Sequence, residues 1–352
     1  MISIIVAILV FGLIVMIHEF GHFIFAKLNG ISVVEFSIGM GPRLLHFKKG
    51  ETTYSIKALP IGGSCMMLGE DEENPDDRAF NNKSILARMS VIFAGPVFNF
   101  ILAFLLALIL VGMSGYDITV INEVAEGSPA YEAGLQPGDR LIRVNDENVT
   151  LLRDYVLYNL TNPDELMNQV EYVRTNTATG QEEHHVVNVT PEYSEEENRY
   201  LIGISLGREN IPVKSPLQLI KYGYLEMEYD VKVTVISLGM LLSGKASVND
   251  LSGPVGIVVM IDDSVKAGLT VGIAAAVMNV LSMCILLSAN LGVMNLLPIP
   301  ALDGGRLLFL IIEAIRGKRM PPEKEGMVNL ISLMALMALM LFVIFNDISR
   351  FL

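Results

Sequence analysis

A cluster of ionisable residues interrupts the first apolar stretch of the chain. Residues 2–17 carry no charge, and His18, Glu19 and His22 then follow within HEFGH without a break in the helical pattern. An ionisable group near the centre of a bilayer costs roughly 2.5–3.5 kcal/mol on insertion scales, so such groups are usually kept there for chemistry. Two histidines at i and i+4 share one helix face and can bind one metal ion, while the glutamate activates a water. The pattern predicts a hydrolytic zinc site inside a membrane.

The rest of the chain is apolar enough for several membrane spans, since 52% of its 352 residues are hydrophobic. A helix needs about 20 apolar residues to cross the hydrocarbon core. The first stretch lacks a basic leading segment and a small-residue cleavage site, so we expect it to be a span and not a signal peptide. We predict a polytopic α-helical membrane protein with four spans. The predicted spans are Ile2–Lys27, Val91–Met113, Val271–Leu297 and Met327–Phe345.

Lysine and arginine placement predicts how the chain crosses the membrane. The segment after the first span, residues 27–88, and the connection before the fourth, residues 316–324, are both rich in these residues. Basic loops stay in the cytoplasm. Both termini and the long insert between spans two and three are therefore expected on the extracytoplasmic side of a bacterial plasma membrane.

The long insert carries nearly all of the net charge of −13. Residues 116–210 hold 18 acidic against 6 basic residues and alternate strand-like and helix-like segments, which predicts a small α+β domain. Its acidity argues against nucleic acid as a partner. We divide the chain into four parts. These are a first membrane part (1–115, with a strand-forming segment at 28–88), the α+β domain (116–210), an amphipathic segment along the membrane surface (211–262) and a second membrane part (263–352).

A catalytic zinc ion needs a third protein ligand beside His18 and His22. The other histidines, His46, His184 and His185, lie in a cytoplasmic loop or in the external domain. Asp303, in NLLPIPALDGG, is the better candidate because it lies as close to the basic cytoplasmic segments as HEFGH does. Two prolines interrupt its apolar run, and non-helical backbone at that depth must line a protein cavity. The alternative is that Asp303 only caps the short helix that follows it.

Glu19 is next to a ligand and is the expected general base, taking a proton from the attacking water and passing it to the departing amine. The substrate that reaches such a site is itself a membrane segment, and its helix must unwind to expose an amide.

Together, HEFGH, NLLPIPALDGG, LSGPVGI (251–257) and the external domain resemble the site-2 protease family, and more narrowly the bacterial RseP-type intramembrane zinc metalloproteases. The resemblance implies zinc bound by His18, His22 and Asp303, with Glu19 as the base. It implies substrate contacts for Asn295, Pro298 and Pro300. It also implies one for Asn99 in AGPVFNF (94–100), and a membrane-associated hairpin at 52–68 that pairs with extended substrate.

The external domain resembles a single PDZ module, because GSPAYEAGLQPGDRLIRVNDENV (127–149) has the spacing of that family. In the family such domains exclude substrates until an upstream protease trims their external part. The implied substrates are single-pass membrane proteins, either anti-sigma factors after a first cut or signal-peptide remnants. Ser64, Cys65 and Met66 depart from the usual hairpin sequence, which affects the detail of substrate pairing and not the zinc chemistry.

Two other functions fit some of these features. A non-proteolytic membrane scaffold would use the PDZ-like domain alone, and a zinc transporter would also place metal ligands in membrane spans. The costly buried ligands argue against the scaffold. The glutamate at the activating position argues against the transporter.

Overall fold

The computed structural model describes residues 2–70, 72, 74–162, 168–176, 179–195, 199–247 and 251–351. These residues form two compact units. The first comprises residues 1–110 and 223–352, and the second comprises residues 111–222.

The first unit is dominated by long apolar helices. Four helices in the described part of the chain are long and apolar enough to cross a membrane, as predicted, and they span Ile4–Leu28, Ile85–Ser114, Ile273–Asn295 and Glu323–Arg350. The chain is therefore a membrane protein. The full helix bounds are α1 (Ile2–Leu28), α2 (Ile85–Ser114), α5 (Pro216–Leu242), α6 (Pro254–Val271), α7 (Ile273–Asn295), α8 (Asp303–Arg316) and α9 (Pro322–Phe351).

Two long strands, β1 (Val33–Lys49) and β2 (Thr52–Met67), follow α1. Both strands run through glycine clusters, at 39–42 and 60–63. Gly39, Gly41 and Gly62 have positive φ, so the backbone bends there without ending the strand. Residues 33–38 pair with 63–67 on one side, residues 35–38 pair with 53–56 on the other, and residues 43–49 pair with 52–57. The segments thus lie in the order 43–49, 52–57, 33–38, 63–67, which leaves 63–67 at one edge.

The motif LSGPVGI does not form an isolated short piece, because α6 begins at its proline, Pro254. The backbone N–H groups of Gly253 and Gly256 donate to the buried carboxylate of Asp347 on α9, at 3.2 and 2.8 Å. A Cβ on either glycine would lie 2.8–3.1 Å from that carboxylate, so the close approach requires glycine. α6 in turn packs Ile261 against Ala7 of α1.

The second unit is an α+β structure around a six-stranded sheet with the strand order β10-β3-β4-β6-β7, with β5 paired to β4. Its core includes Ile121, Leu141, Val170 and Ile202. Strands β8 and β9 form a separate pair. The bounds are β3 (Tyr116–Val124), α3 (Pro129–Glu132), β4 (Arg140–Val144), β5 (Glu147–Asn148), α4 (Leu152–Thr161), β6 (Asn168–Thr175), β7 (Glu182–Val189), β8 (Glu192–Ser194), β9 (Arg199–Leu201) and β10 (Ile204–Ile211).

Candidate metal centre

Helix α1 places both histidines of HEFGH on one buried face. His18 and His22 are each 7% exposed, and their rings meet edge to face with centroids 4.8 Å apart. One turn of helix separates the two residues, so the Nε2 atoms lie 3.2 Å apart. This arrangement brings two nitrogen ligands to one point.

Asp303 completes the cluster from the opposite end of the sequence. It is the first residue of α8, and Leu302 precedes it as the N-cap without a side-chain hydrogen bond, so Asp303 is not the cap that the alternative reading required. Its Oδ2 lies 3.1 Å from Nε2 of His18 and 3.4 Å from Nε2 of His22. Gly304 lets the helix begin here, because a Cβ at that position would lie 2.1 Å from the Leu297 carbonyl oxygen.

The three ligand atoms have the spacing that zinc requires. Their mutual distances of 3.1, 3.2 and 3.4 Å form a nearly equilateral triangle. Tetrahedral zinc with ligands at about 2.0–2.1 Å needs ligand atoms about 3.3–3.4 Å apart. Oδ2 of Asp303 is also buried, with no hydrogen bond to any residue that the structure describes. Two imidazoles and one carboxylate form a typical donor set for catalytic zinc, which leaves one position open, so these residues fit the ion. Within the described residues, this is the one group of three or more such side chains close enough to hold a metal.

Neighbouring residues of α2 fix the two histidine rings. Nδ1 of His22 lies 2.9 Å from the Val91 carbonyl oxygen, which requires a proton on Nδ1 and leaves Nε2 free to bind metal. Nδ1 of His18 lies 3.2 Å from the side-chain amide of Asn99, which is 0% exposed. This burial favours a role for Asn99 in orienting His18 over a contact with substrate. The helices pass so closely here that a Cβ on Gly95 would lie 2.4 Å from Nε2 of His22.

Glu19 lies in a cavity of about 300 Å³ that His18, His22 and Asp303 also line. Cys65, on the edge segment of β2, lines the same cavity. Gly63 lets that segment approach Glu19 closely, since a Cβ there would lie 3.0 Å from Cγ of Glu19. Glu19, the candidate base, thus lies between the edge of the sheet and the group formed by His18, His22 and Asp303.

The predicted substrate-contact residues differ in their positions. Asn295 is the last residue of α7, and its Nδ2 lies 3.5 Å from both ring nitrogens of His18. Pro298 is exposed and Pro300 is partly buried in the loop that leads to α8. Neither proline is among the described residues that line the 300 Å³ cavity.

Two ion pairs near the site were not predicted. Arg88 on α2 donates to both carboxylate oxygens of Glu313 on α8, at 2.6 and 3.1 Å. Arg306 on α8 pairs with Glu70, whose side chain is only 12% exposed. The sequence offers a weak signal at most, because both arginines read simply as cytoplasmic charges.

Comparison with known proteins identifies this arrangement. The model of peptidase family M50 matches residues 6–339. The chain belongs to peptidase family M50. A zinc metalloprotease of Clostridium acetobutylicum is 41% identical over 330 residues, covering 94% of this chain and 92% of that protein.

Two further M50 relatives are similar over nearly their whole length. Zinc metalloprotease RasP of Bacillus licheniformis is 35% identical, with 99% of each chain covered. The regulator of sigma-W protease RasP of Bacillus subtilis is 32% identical, with 99% of this chain and 98% of that protein covered. This M50 protein is accordingly a zinc metalloendopeptidase of the intramembrane site-2 class that acts on membrane proteins, as predicted. Neither the scaffold nor the transporter alternative is favoured.

Proposed function

We propose that the chain cuts membrane-spanning segments of single-pass membrane proteins, with His18, His22 and Asp303 holding the zinc ion and Glu19 acting as the general base. The observation that carries this proposal is the convergence of two Nε2 atoms and one carboxylate oxygen within 3.4 Å of one another, beside Glu19 in a buried cavity.

The residues have separate tasks in amide hydrolysis. Bound zinc supplies the Lewis acidity that polarises the scissile carbonyl and makes the attacking water more acidic. The Glu19 carboxylate takes a proton from that water and delivers it to the departing amine nitrogen. Val91 and Asn99 hold the two imidazoles with Nε2 toward the ion.

The edge segment 63–67 is the proposed docking site for unwound substrate. It lines the cavity that contains Glu19, and its outer side pairs with no other strand among the described residues. An extended peptide can add to such an edge by main-chain hydrogen bonds. Asn295, Pro298 and Pro300 are proposed to contact the substrate from the α7–α8 side. Asn99 is proposed to orient His18 and not to contact the substrate, because the Asn99 side chain is fully buried.

The α+β unit is proposed to be a single PDZ-like domain that limits which substrates enter. In this topology the unit and both termini lie outside a bacterial plasma membrane, and the active site lies near its cytoplasmic face. Substrates would be anti-sigma factors already cut by an upstream protease, or signal-peptide remnants. The name of the Bacillus subtilis relative, a regulator of sigma-W protease, supports the first class.

The test is cleavage of a tagged single-pass substrate by the purified protein in bilayers. We expect cleavage by the wild type, loss of cleavage with a chelator, and none with Glu19→Gln although zinc stays bound. Asp303→Ala should lose zinc as well as activity. Loss of zinc from Glu19→Gln, or full zinc content in Asp303→Ala, would contradict the assigned roles.

Substrate length gives a second test. Two substrates with the same membrane segment, one with a short and one with a long folded external tail, should be cut at different rates, the long one more slowly. Equal rates would rule out exclusion by size.

A further inference from the structure

The cavity that contains Glu19 has a neighbour. A second cavity, of about 480 Å³, lies among α2, α8 and α9. Among the residues that the structure describes, Glu70, Ile92 and Arg306 line both cavities and so lie between them. Ile92 is 1% exposed and fixed in α2, so the Glu70–Arg306 ion pair is the part of the wall that can move.

The ion pair joins the sheet to the helix that carries Asp303. Glu70 follows β2, and its second carboxylate oxygen lies 3.4 Å from the backbone N–H of Met67. Arg306 lies three residues after Asp303, on the first turn of α8. Both side chains are long, and Arg306 is 33% exposed, so rotation about side-chain bonds can separate them.

Peptide hydrolysis creates a need for a polar exit. The substrate enters as an apolar segment with an uncharged amide, and it leaves as two fragments with a new carboxylate and a new ammonium group. Placing such a charge in hydrocarbon is unfavourable. A new charged end will therefore leave the catalytic cavity through a polar route and not back through lipid.

The second cavity offers such a route. Its lining includes the Arg88–Glu313 pair together with Arg319 and Glu325. Its charged lining, which includes Arg88, Arg306 and Arg319, can stabilise a carboxylate better than lipid does.

We propose that the Glu70–Arg306 ion pair is a gate, and that it opens after cleavage to let the new carboxylate end of the product pass into the second cavity. The product carboxylate replaces Glu70 as the partner of Arg306, so the charge that must leave is also the group that opens the gate. This inference rests on the proposed function, since it concerns the product of that reaction.

Gly326 on α9 permits a direct test. It lines the second cavity, and a Cβ there meets no atom within 4 Å, so Gly326→Cys can carry an adduct. Gly239→Cys on α5 is the matched control, because its surroundings are equally open and it lines neither cavity. Each variant and the parent chain would be treated with a bulky thiosulfonate reagent. Cleavage would be measured in the first turnover and at steady state.

We expect the adduct at position 326 to slow steady-state cleavage about five-fold or more while leaving the first turnover unchanged, as for a block of product release. A phosphine reductant should restore the rate, and the adduct at position 239 should have no effect. Equal slowing of both phases, or no slowing, would overturn the gate. Absence of cleavage by the untreated parent would instead overturn the proposed function.

Cys65 gives a readout that does not depend on activity, since it lines the catalytic cavity. Burial and the nearby Glu19 and Glu70 carboxylates raise the pKa of its thiol. Glu70→Ala should therefore speed its labelling by a small polar reagent for two reasons, an open wall and a lower pKa. Adding Gly326→Trp fills the second cavity and blocks access through the open wall, but it leaves the lower thiol pKa unchanged. Labelling of Cys65 should therefore slow again if the reagent enters through the second cavity. Unchanged labelling in the double variant would contradict the proposal, with Cys65→Ser as the background control.

Discussion

The side-chain amide nitrogen of Asn99 lies 3.2 Å from Nδ1 of His18. The other ring nitrogen of His18, Nε2, is the one that faces Asp303. Oδ1 of Asn99 is buried and has no hydrogen-bond partner within the described part of the chain. Because the oxygen and nitrogen of an amide can exchange places by a 180° rotation, Oδ1 can accept the Nδ1–H of His18. That bond fixes the tautomer whose Nε2 is free for zinc.

Asn99→Leu should therefore weaken zinc binding by about 10- to 100-fold, the usual effect of losing a partner of a metal-bound histidine. Asn99→Asp keeps the acceptor and should retain most of the affinity. Competition with a chromophoric chelator measures both. A purely structural role for Asn99 would lower thermal stability in both variants without separating their zinc affinities.

Gly95→Ala should disturb the group of His18, His22 and Asp303 by displacing a histidine ring. The new Cβ would lie 2.4 Å from Nε2 of His22 and 2.8 Å from Cε1 of His18, so a ring must move. We expect zinc affinity to fall by about ten-fold or more.

Gly12→Ala is the control for this change, because it lies on α1 with no atom within 4 Å of the new Cβ. Alanine is the better helix former by about 1 kcal/mol, so this variant should keep its zinc and gain slight stability. Equal zinc affinity in the two variants would mean that the close packing at Gly95 is not needed for the site.

The grouping of His18, His22 and Asp303 was largely predictable because each part carries a local signal. The spacing of His18 and His22 specifies one helix face, and the broken apolar run around Asp303 indicates backbone that lines a cavity. Strands within residues 28–88 were also predicted from the sequence. Their order was not, because register in a sheet depends on contacts among segments and not on any one of them.

The ion pairs show why the rest could not be predicted. The sequence gives the signs of the charges on Arg88, Arg306 and Glu70 but not their partners. The partners lie on different elements, far apart along the chain. Asn99 shows the same limit, because a polar residue within a span suggests either a contact between helices or a functional role.

The buried Arg88–Glu313 pair should stabilise the chain only while both partners are present. Arg88→Met leaves Glu313 charged and 15% exposed, and should cost about 3–5 kcal/mol. The double variant Arg88→Met/Glu313→Met removes both charges and should recover most of that loss. Unfolding in detergent, followed for both singles and the double, measures the coupling. A double variant as unstable as the sum of the singles would show that the pair does not act as a unit.

Glu35 links the sheet to acid stability. Hydrogen bonding from Arg43 lowers the pKa of its carboxyl to about 2, with further help from Ser55 and the charge of Lys57. Since the folded-state pKa lies below the usual value of 4.5, the pair contributes stability above pH 4.5 and loses it as pH falls toward 2. We expect the free energy of unfolding of the wild type to exceed that of Glu35→Gln by about 2 kcal/mol at pH 6, allowing for screening of the half-exposed Arg43. This difference in stability should disappear as the pH falls from 4.5 toward 2. Comparing the two proteins at each pH cancels the effect of zinc loss in acid. A gap that stayed constant down to pH 2.5 would show that the Glu35 charge does not stabilise the sheet.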